Sequence, residues 1–241
     1  MAGVMSHHKI SFDYLSSDQK FDDALFTRLD GEAWPDNKYQ AIIISDYPAK
    51  NFSTERINTI VEQVAGGMGL LMIGGWESFT GANGEYTETA LSEVLPVIMQ
   101  PEDDRVNCFA PCLVEKIKEH EILGTLPFEE NPPSIGGFNR LVSKPDSETI
   151  LLARRFNASY GDGNFKFQAL KDADPLLVIG SYKQGRVCAF ATDAAPHWVG
   201  GLVDWGDKRI MAQGPGARPI EVGNWYAELL ANMINWTAGG L

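Results

Sequence analysis

The stretch QAIIISDYPAKNFSTERINTIVEQVAGGMGLLMI, residues 40–73, predicts a strand, a helix and a second strand. The apolar runs at residues 40–45 and 69–73 are typical of buried strands. Ser53 can cap the helix between them, in which apolar residues recur at the helical spacing i, i+3, i+4 and i+7: Ile57, Ile60, Val61 and Val64. A unit of this length pairs its two strands in parallel through a right-handed crossover, which predicts an α/β fold.

Polar loops follow both strands of this unit, and parallel pairing brings the two loops to one edge of the sheet. Because ligands of open α/β sheets bind outside the carboxyl ends of the strands, we expect a ligand site at this edge. Its candidate residues come from the loop after each strand: Asp46, Gly74, Gly75, Trp76 and Ser78. We expect the Gly75 amide to be available to an anion, since glycine permits close backbone approach.

A third apolar run lies in RVCAFATDAAPHWV, residues 186–199, and ends at a polar cluster that contains a proline. It follows an apolar run at residues 176–181, which predicts an antiparallel hairpin. If this strand ends at the same edge, Asp193, His197 and Trp198 join the site. We expect Asp193 to orient His197 or the loop backbone, and the tryptophans to exclude water. The alternative is structural: an Asp that caps the loop, a structural His and a core Trp.

The remaining segments carry weaker patterns. Further strands are predicted at residues 9–15 and 149–153, and further helices at residues 88–95 and 222–236. Turns, loops and exposed segments are predicted at residues 100–105 (QPEDDR, acidic), 157–163 (NASYGDG) and 202–219 (glycine-rich). The broad apolar face of the last helix should pack on the sheet.

Composition narrows the function classes. The 241 residues fit a single domain, 1–241, and the net charge of −12 argues against nucleic acid as a partner. We expect no membrane span, because no apolar run reaches about 18 residues, and no secretory signal, because the first residues lack an apolar core. Three cysteines predict a reducing compartment, the cytoplasm. We expect no cofactor and no metal, and one histidine among the candidates makes a zinc site improbable.

Several motifs together resemble a known family. They are SDYPAKNF (45–52), GGMGLLMIGGWESFTG (66–81), LSEVLPV (91–97), GGFNR (136–140) and GRVCAFATDAAPHW (185–198). In this combination the chain resembles the uncharacterised bacterial "putative glutamine amidotransferase" family, which is related to class I glutamine amidotransferase-like and ThuA-like proteins. The resemblance implies a flavodoxin-like three-layer sandwich, with a mostly parallel sheet and an antiparallel extension near the C-terminus. It also places Asn139 at the site and makes His197 and Asp193 candidates for the family's His and acid.

The chain departs from this family pattern in two ways. Class I amidotransferases carry their nucleophile in a G-x-C-x-G elbow, and none of Cys108, Cys112 and Cys188 lies in such a motif. Without that thiolate there is no glutaminase triad. Measured against the family pattern, we also expect the first β–α unit of the fold to be missing or reduced at the N-terminus. We therefore expect an exposed sheet edge and self-association into a homo-oligomer.

These observations favour a glutamine amidotransferase-like protein that lacks the nucleophilic Cys and binds or senses a small molecule of unknown identity. The alternative is a hydrolase or another enzyme with a general base or a divalent-metal site, built from carboxylates and one imidazole: Asp46, Glu77, Asp193 and His197. A purely structural or assembly role is the third possibility.

Overall fold

The structure is a computed structural model that describes residues 1–16, 39–194 and 197–240. Its α-helices are α1 (Ala2–His7), α2 (Thr54–Ala65), α3 (Leu91–Val94) and α4 (Asn224–Thr237). Its strands are β1 (Ala41–Ser45), β2 (Gly69–Ile73), β3 (Val97–Met99), β4 (Arg105–Asn107), β5 (Cys112–Lys116), β6 (Gly137–Asn139), β7 (Leu141–Ser143), β8 (Glu148–Gly161), β9 (Asn164–Ala169), β10 (Asp174–Tyr182), β11 (Gly185–Phe190), β12 (Arg209–Ala212) and β13 (Ile220–Gly223).

The central sheet is mixed. Its strand order is β1-β2-β11-β10-β8-β5, and β9 pairs with the outer part of β8. The pairs β1–β2 and β2–β11 are parallel, whereas β11–β10, β10–β8, β8–β5 and β8–β9 are antiparallel. The α/β class and the antiparallel extension are confirmed. Because β5 and β8 belong to the extension, the antiparallel part is larger than the sequence predicted.

The parallel part of the sheet contains the most buried strand of the fold. All five residues of β2 are buried, so both faces of the sheet are covered there. On α2, the stripe of Ile57, Ile60 and Val64 is buried, as the spacing predicted. Full burial of each such side chain contributes about 1.5–3 kcal/mol. Ser53 caps this helix by accepting a hydrogen bond from the Arg56 amide at 3.3 Å.

Helix α4 packs against β1, β2 and β11 through the broad apolar face that the sequence predicted. Its buried side chains include Tyr226, Leu229, Leu230, Met233 and Ile234. The three smaller pairs β3–β7, β4–β6 and β12–β13 are antiparallel and lie outside the central sheet. The β4–β6 pair carries Asn139 to the edge of the central sheet.

Three sequence predictions are wrong. Residues 9–15 form no strand: Lys9 turns the chain after α1 with φ 57°, and Ile10 and Phe12 pack on the core without a ladder partner. Residues 157–163 are not one turn, because β8 continues to Gly161. Part of the predicted loop at residues 202–219 is strand β12. In each case packing or cross-strand pairing outweighed the local pattern.

The predicted loss of a first β–α unit concerns residues that include 17–38, which lie outside the described residues. Within the described part of the chain, no helix is long and apolar enough to cross a membrane.

Candidate functional site

The loops after β1, β2 and β11 lie side by side because these three strands run parallel and end level. Ser45 pairs with Ile73, which also pairs with Phe190. The Gly74 amide then donates to the Phe190 carbonyl at 2.7 Å. The direction of β11, which the sequence left open, therefore brings the loop with Asp193 to the same edge as Asp46 and Gly74.

Asp46 and Ser78 join the first two loops. The Asp46 amide donates to Ser78 Oγ at 2.9 Å, and Ser78 Oγ donates to the Ile73 carbonyl at 2.7 Å. Asp46 Oδ1 accepts the Glu77 amide at 2.7 Å, and Asp46 itself adopts a positive φ of 48°. The Ser78 hydroxyl therefore holds the two loops together, and the residue is fully buried.

Asn139 joins the β2 loop to the β4–β6 pair. Its side chain is buried; Oδ1 accepts the Gly75 amide at 2.9 Å, and Nδ2 donates to the Gly75 carbonyl at 3.2 Å and to Asp104 Oδ1 at 2.7 Å. The Gly75 amide is therefore bonded inside the protein, and the expectation that it is offered to an anion is wrong. Gly75 has φ 155°, and a Cβ there would lie 2.3 Å from Asp46 Oδ1.

Asp104 is a site residue that sequence reasoning missed. The acidic run at residues 100–105 was predicted to be exposed, but Asp104 is 3% exposed. Its carboxylate also accepts the amides of Thr80 at 3.2 Å and Gly81 at 3.0 Å. Burial raises the pKa of this carboxyl, while these hydrogen bonds and the one from Asn139 act in the opposite direction. Nothing in the acidic run at residues 100–105 indicates burial, so the local sequence could not identify Asp104 as a buried residue.

Asp193 holds the loop backbone after β11. Both of its carboxylate oxygens accept the Trp198 amide at 3.2 Å, and Oδ1 accepts the Val199 amide at 2.9 Å. Burial raises the pKa of Asp193 to about 6, while the two backbone hydrogen bonds lower it. Asp193 thus orients the backbone, which is one of the two roles predicted for it, and the structural alternative predicted the same contact.

Trp198 belongs to the core below the site. Its indole is buried, and Nε1 donates to Asn107 Oδ1 at 2.9 Å. The ring lies against Gly137, where a Cβ would come within 2.5 Å of the indole. Thr192 Oγ1 completes this layer by donating to the Gly137 carbonyl at 2.9 Å. The structural alternative therefore describes Trp198, which packs β6 against the loop after β11.

The accessible part of the site is a small surface formed by Trp76, Arg105 and His197, which we call the Trp76 surface. Trp76 is 46% exposed, and His197 is exposed. The Trp76 and His197 ring centroids are 6.1 Å apart, and the Arg105 guanidinium lies 4.7 Å from the Trp76 ring centroid. Asp103 holds Arg105 through Nε and Nη2 at 2.7–3.1 Å. Arg105 was not a sequence candidate.

All nine predicted residues lie at this one edge, and four of them, Ser78, Asn139, Asp193 and Trp198, are buried. A hollow of about 210 Å³ lies beside Arg105, between residues 100–106 and Arg140. A cleft of about 460 Å³ lies between the loop after β1, the start of α2 and residues 85–89. Neither is lined by a predicted site residue. At this edge a network of buried hydrogen bonds, formed by Asp46, Ser78, Asn139, Asp104 and Asp193, lies beneath the exposed Trp76 surface, and the single ligand pocket stays a prediction.

A metal ligand set is not assembled at this edge. In residues 1–16, 39–194 and 197–240, no group of three or more His, Cys, Asp or Glu side chains is arranged to hold a metal ion. Asp193 presents both carboxylate oxygens to backbone amides, and Asp46 presents Oδ1 to the Glu77 amide. The site can therefore offer a stacking surface, one guanidinium and one imidazole to a ligand.

The geometry defines a mixed α/β protein with its polar loops gathered at the ends of parallel strands. A family model described as "Putative glutamine amidotransferase" matches residues 5–211, so the chain belongs to this family of glutamine amidotransferase-like proteins. No curated protein matches the chain.

Several solved structures share the fold of this chain. Cytoplasmic protein STM1381 from Salmonella typhimurium LT2 is 30% identical, with a TM-score of 0.70 and coverage of 97% of this chain and 84% of that one. Cytoplasmic protein STM3548 from Salmonella typhimurium has the same TM-score and coverage at 26% identity. A ThuA-like protein from Parabacteroides merdae, 12% identical, shares the fold with a TM-score of 0.60 over 99% of this chain and 82% of its own.

Proposed function

We propose that this chain is a glutamine amidotransferase-like protein without glutaminase activity, and that it binds a small molecule at the Trp76 surface. In this proposal the protein is cytoplasmic and consists of a single domain with a flavodoxin-like fold. Two of its structural relatives are named as cytoplasmic proteins, which supports the compartment. The observation that carries the proposal is the position of the three thiols relative to the polar loops.

The turn after β2 carries Trp76 and Ser78 and no cysteine. Cys188 lies inside β11, where burial raises the pKa of its thiol, and Cys112 is buried in β5. Cys108 is half-buried, and its hydrogen bond with the Cys112 thiol lowers the pKa of Cys108. An inert buried thiol does not attack a carbonyl, so Cys108 is the one thiol that a glutaminase assay has to examine.

The ligand chemistry follows from the accessible groups. An exposed indole stacks on flat apolar or sugar rings, and its face attracts cationic groups. Arg105 is already paired with Asp103, so it presents a fixed donor edge and little net charge. We therefore expect a ligand with a flat ring and hydrogen-bond acceptors, and we place His197 at its rim.

One observation favours the enzyme alternative. Asp193 has a pKa of about 6 and an electrostatic interaction with His197, and groups that titrate near neutrality are common in acid–base catalysis. Asp193 is 1% exposed, however, and its oxygens already accept backbone amides. A hydrolase would therefore have to use His197 as its accessible base, with Asp193 in a supporting position.

A ligand screen tests binding. Amides, sugars and nucleotides are added to the protein, and a ligand is scored when it raises the melting temperature. We expect a hit that Trp76→Ala abolishes and that Tyr14→Ala leaves intact, because Tyr14 is equally aromatic and 70% exposed elsewhere. A hit that survives in Trp76→Ala would contradict the assigned surface. Turnover of the hit that is lost in His197→Ala would establish the enzyme alternative.

Glutaminase activity is tested separately. Glutamate release from glutamine should stay at the rate of the buffer for the natural sequence and for Cys108→Ser. A measurable rate that disappears in Cys108→Ser but persists in Cys188→Ser would overturn the proposal.

A further inference from the structure

A two-stranded arm extends from the central sheet. It is formed by the outer part of β8 and by β9, residues 156–169, and is paired from Phe156–Ala169 to Gly161–Asn164. The connecting residues Asp162 and Gly163 both have positive φ, as a two-residue hairpin requires. Residues 157–169 are all exposed, so the body of the protein does not cover the arm.

The two faces of the arm differ in polarity. Side chains alternate along each strand, and directly paired residues share a face. One face carries only apolar and aromatic side chains: Phe156, Ala158, Tyr160, Phe165, Phe167 and Ala169. The other face carries Asn157, Ser159, Gly161, Asn164, Lys166 and Gln168. An isolated two-stranded ribbon is only marginally stable in water, so an arm with one apolar face needs a partner surface.

The apolar face is a continuous aromatic row. Tyr160, Phe165 and Phe167 are 67%, 66% and 55% exposed. The Tyr160 and Phe165 ring centroids are 4.9 Å apart, and those of Phe165 and Phe167 are 6.3 Å apart. Fully exposed Phe109 lies in the loop that bonds the base of the arm, where the Phe156 amide donates to the Pro111 carbonyl. Contiguous exposed apolar side chains of this kind mark interaction surfaces.

We propose that the arm is a homodimerisation element, in which the apolar faces of two arms pack against each other around a two-fold axis. A two-fold interface uses the same patch on both copies, and an uncharged aromatic row is complementary to itself. This inference does not depend on the ligand-binding proposal.

Charge favours a second copy as the occupant. The chain has a net charge of −12, so most surfaces of two copies repel each other. The arm carries one lysine and one aspartate, and its apolar face carries neither. It is therefore a place where two copies can meet without like-charge repulsion. A basic partner would instead be attracted to the acidic residues outside the arm.

The area fits a modest dimer. A buried aromatic side chain covers about 150–250 Å², so the exposed fractions of Tyr160, Phe165 and Phe167 give roughly 400 Å² for each copy. Two copies then bury roughly 800 Å², the size of a weak, transient interface. We therefore expect a dimer that dissociates in the micromolar range.

Sedimentation velocity over a range of micromolar concentrations tests the proposal. The natural sequence should shift from the 26.5 kDa monomer to twice that mass as concentration rises. The triple variant Tyr160→Ser, Phe165→Ser, Phe167→Ser should weaken association at least about 100-fold. The matched control Asn157→Ser, Lys166→Ser, Gln168→Ser alters the opposite face of the same arm and should dimerise like the natural sequence. Circular dichroism verifies that both variants are folded.

A second variant guards against a folding defect in the triple variant. Phe165→Lys places like charges opposite each other across the two-fold interface and should also give a monomer, with dimerisation partly restored at high salt. A natural sequence that stays monomeric at every concentration overturns the proposal, as would be expected if the arm binds a different protein. A dimer that persists in both apolar-face variants also overturns it.

Discussion

Asn139→Ala tests whether the buried hydrogen bonds of Asn139 with Gly75 and Asp104 hold the loops together at the strand ends. The substitution removes one hydrogen bond to the Gly75 amide, one to the Gly75 carbonyl and one to the Asp104 carboxylate. An unsatisfied buried polar group costs about 1–3 kcal/mol, and loss of a bond to a charged group costs about 1.5–3 kcal/mol. Because Gly81 still donates to Asp104 Oδ1, we expect the free energy of unfolding to fall by about 3–5 kcal/mol.

In Asn139→Asp, the decrease in the free energy of unfolding should depend on pH. It places a second carboxylate at the position from which Nδ2 donates to Asp104 Oδ1 at 2.7 Å. Two carboxylates at this separation share a proton, so one of them has a raised pKa in the folded state. The folded state then binds more protons than the unfolded state, and its stability rises as pH falls from about 7 to about 5. At neutral pH we expect Asn139→Asp to be less stable than Asn139→Ala.

Urea unfolding followed by tryptophan fluorescence measures these differences. Asn58→Ala is the matched control, since Asn58 is exposed on α2 and its loss should change stability by less than about 0.5 kcal/mol. A double-mutant cycle with Asp104→Ala should give a coupling energy of about 1 kcal/mol or more. A loss below about 1 kcal/mol for Asn139→Ala, or a pH-independent loss for Asn139→Asp, would refute the argument.

Two further predictions concern the same edge. Gly75→Ala should destabilise the fold by about 2 kcal/mol or more, because its Cβ would lie 2.3 Å from Asp46 Oδ1, whereas Gly161→Ala, with open space around the Cβ, should change the urea midpoint little. Asp193 has a folded pKa of about 6, above the ordinary unfolded value of about 3.9, so the folded state holds the extra proton between these values. Its contribution to stability should therefore decrease as pH rises from about 4 to about 6 and stay constant above, and this slope should be absent in Asp193→Asn melting curves.

The sequence predicted the parallel part of the fold well because each element there carries several agreeing signals. The strands β1 and β2 are short apolar runs, and α2 has a capping Ser53 and a regular apolar stripe. Consistent local signals leave one arrangement, in which the right-handed crossover makes the strands parallel. This topology is sufficient to bring the loops after β1 and β2 to one edge of the sheet.

The antiparallel part was predicted less well, since its pairing depends on distant residues. Residues 157–163 contain Asn, Gly and Asp, which favour a turn, yet Tyr160 pairs with Phe165 in a ladder that a local pattern cannot indicate. The acidic neighbours of Asp104 predict exposure, whereas in the fold it is buried and accepts a hydrogen bond from Asn139, 35 residues away along the chain. Long-range partners of this kind decide burial, and they leave no periodic signal in the sequence.

The candidate residues of the site fall into two groups, those that are buried and those that are exposed to solvent. Asp193, Asn139 and Ser78 are buried, and their polar side-chain atoms form hydrogen bonds with the backbone, so they determine the positions of the loops. Asp193 bonds amides of its own loop, whereas Asn139 and Ser78 each bond the backbone of another segment. Trp76 and His197 project from those loops into solvent. A substitution in the buried group would shift the loops that carry Trp76 and His197, and would therefore change the binding of a ligand that contacts these two residues. Substitutions in the buried set should weaken binding and stability together, whereas Trp76→Ala should weaken binding alone.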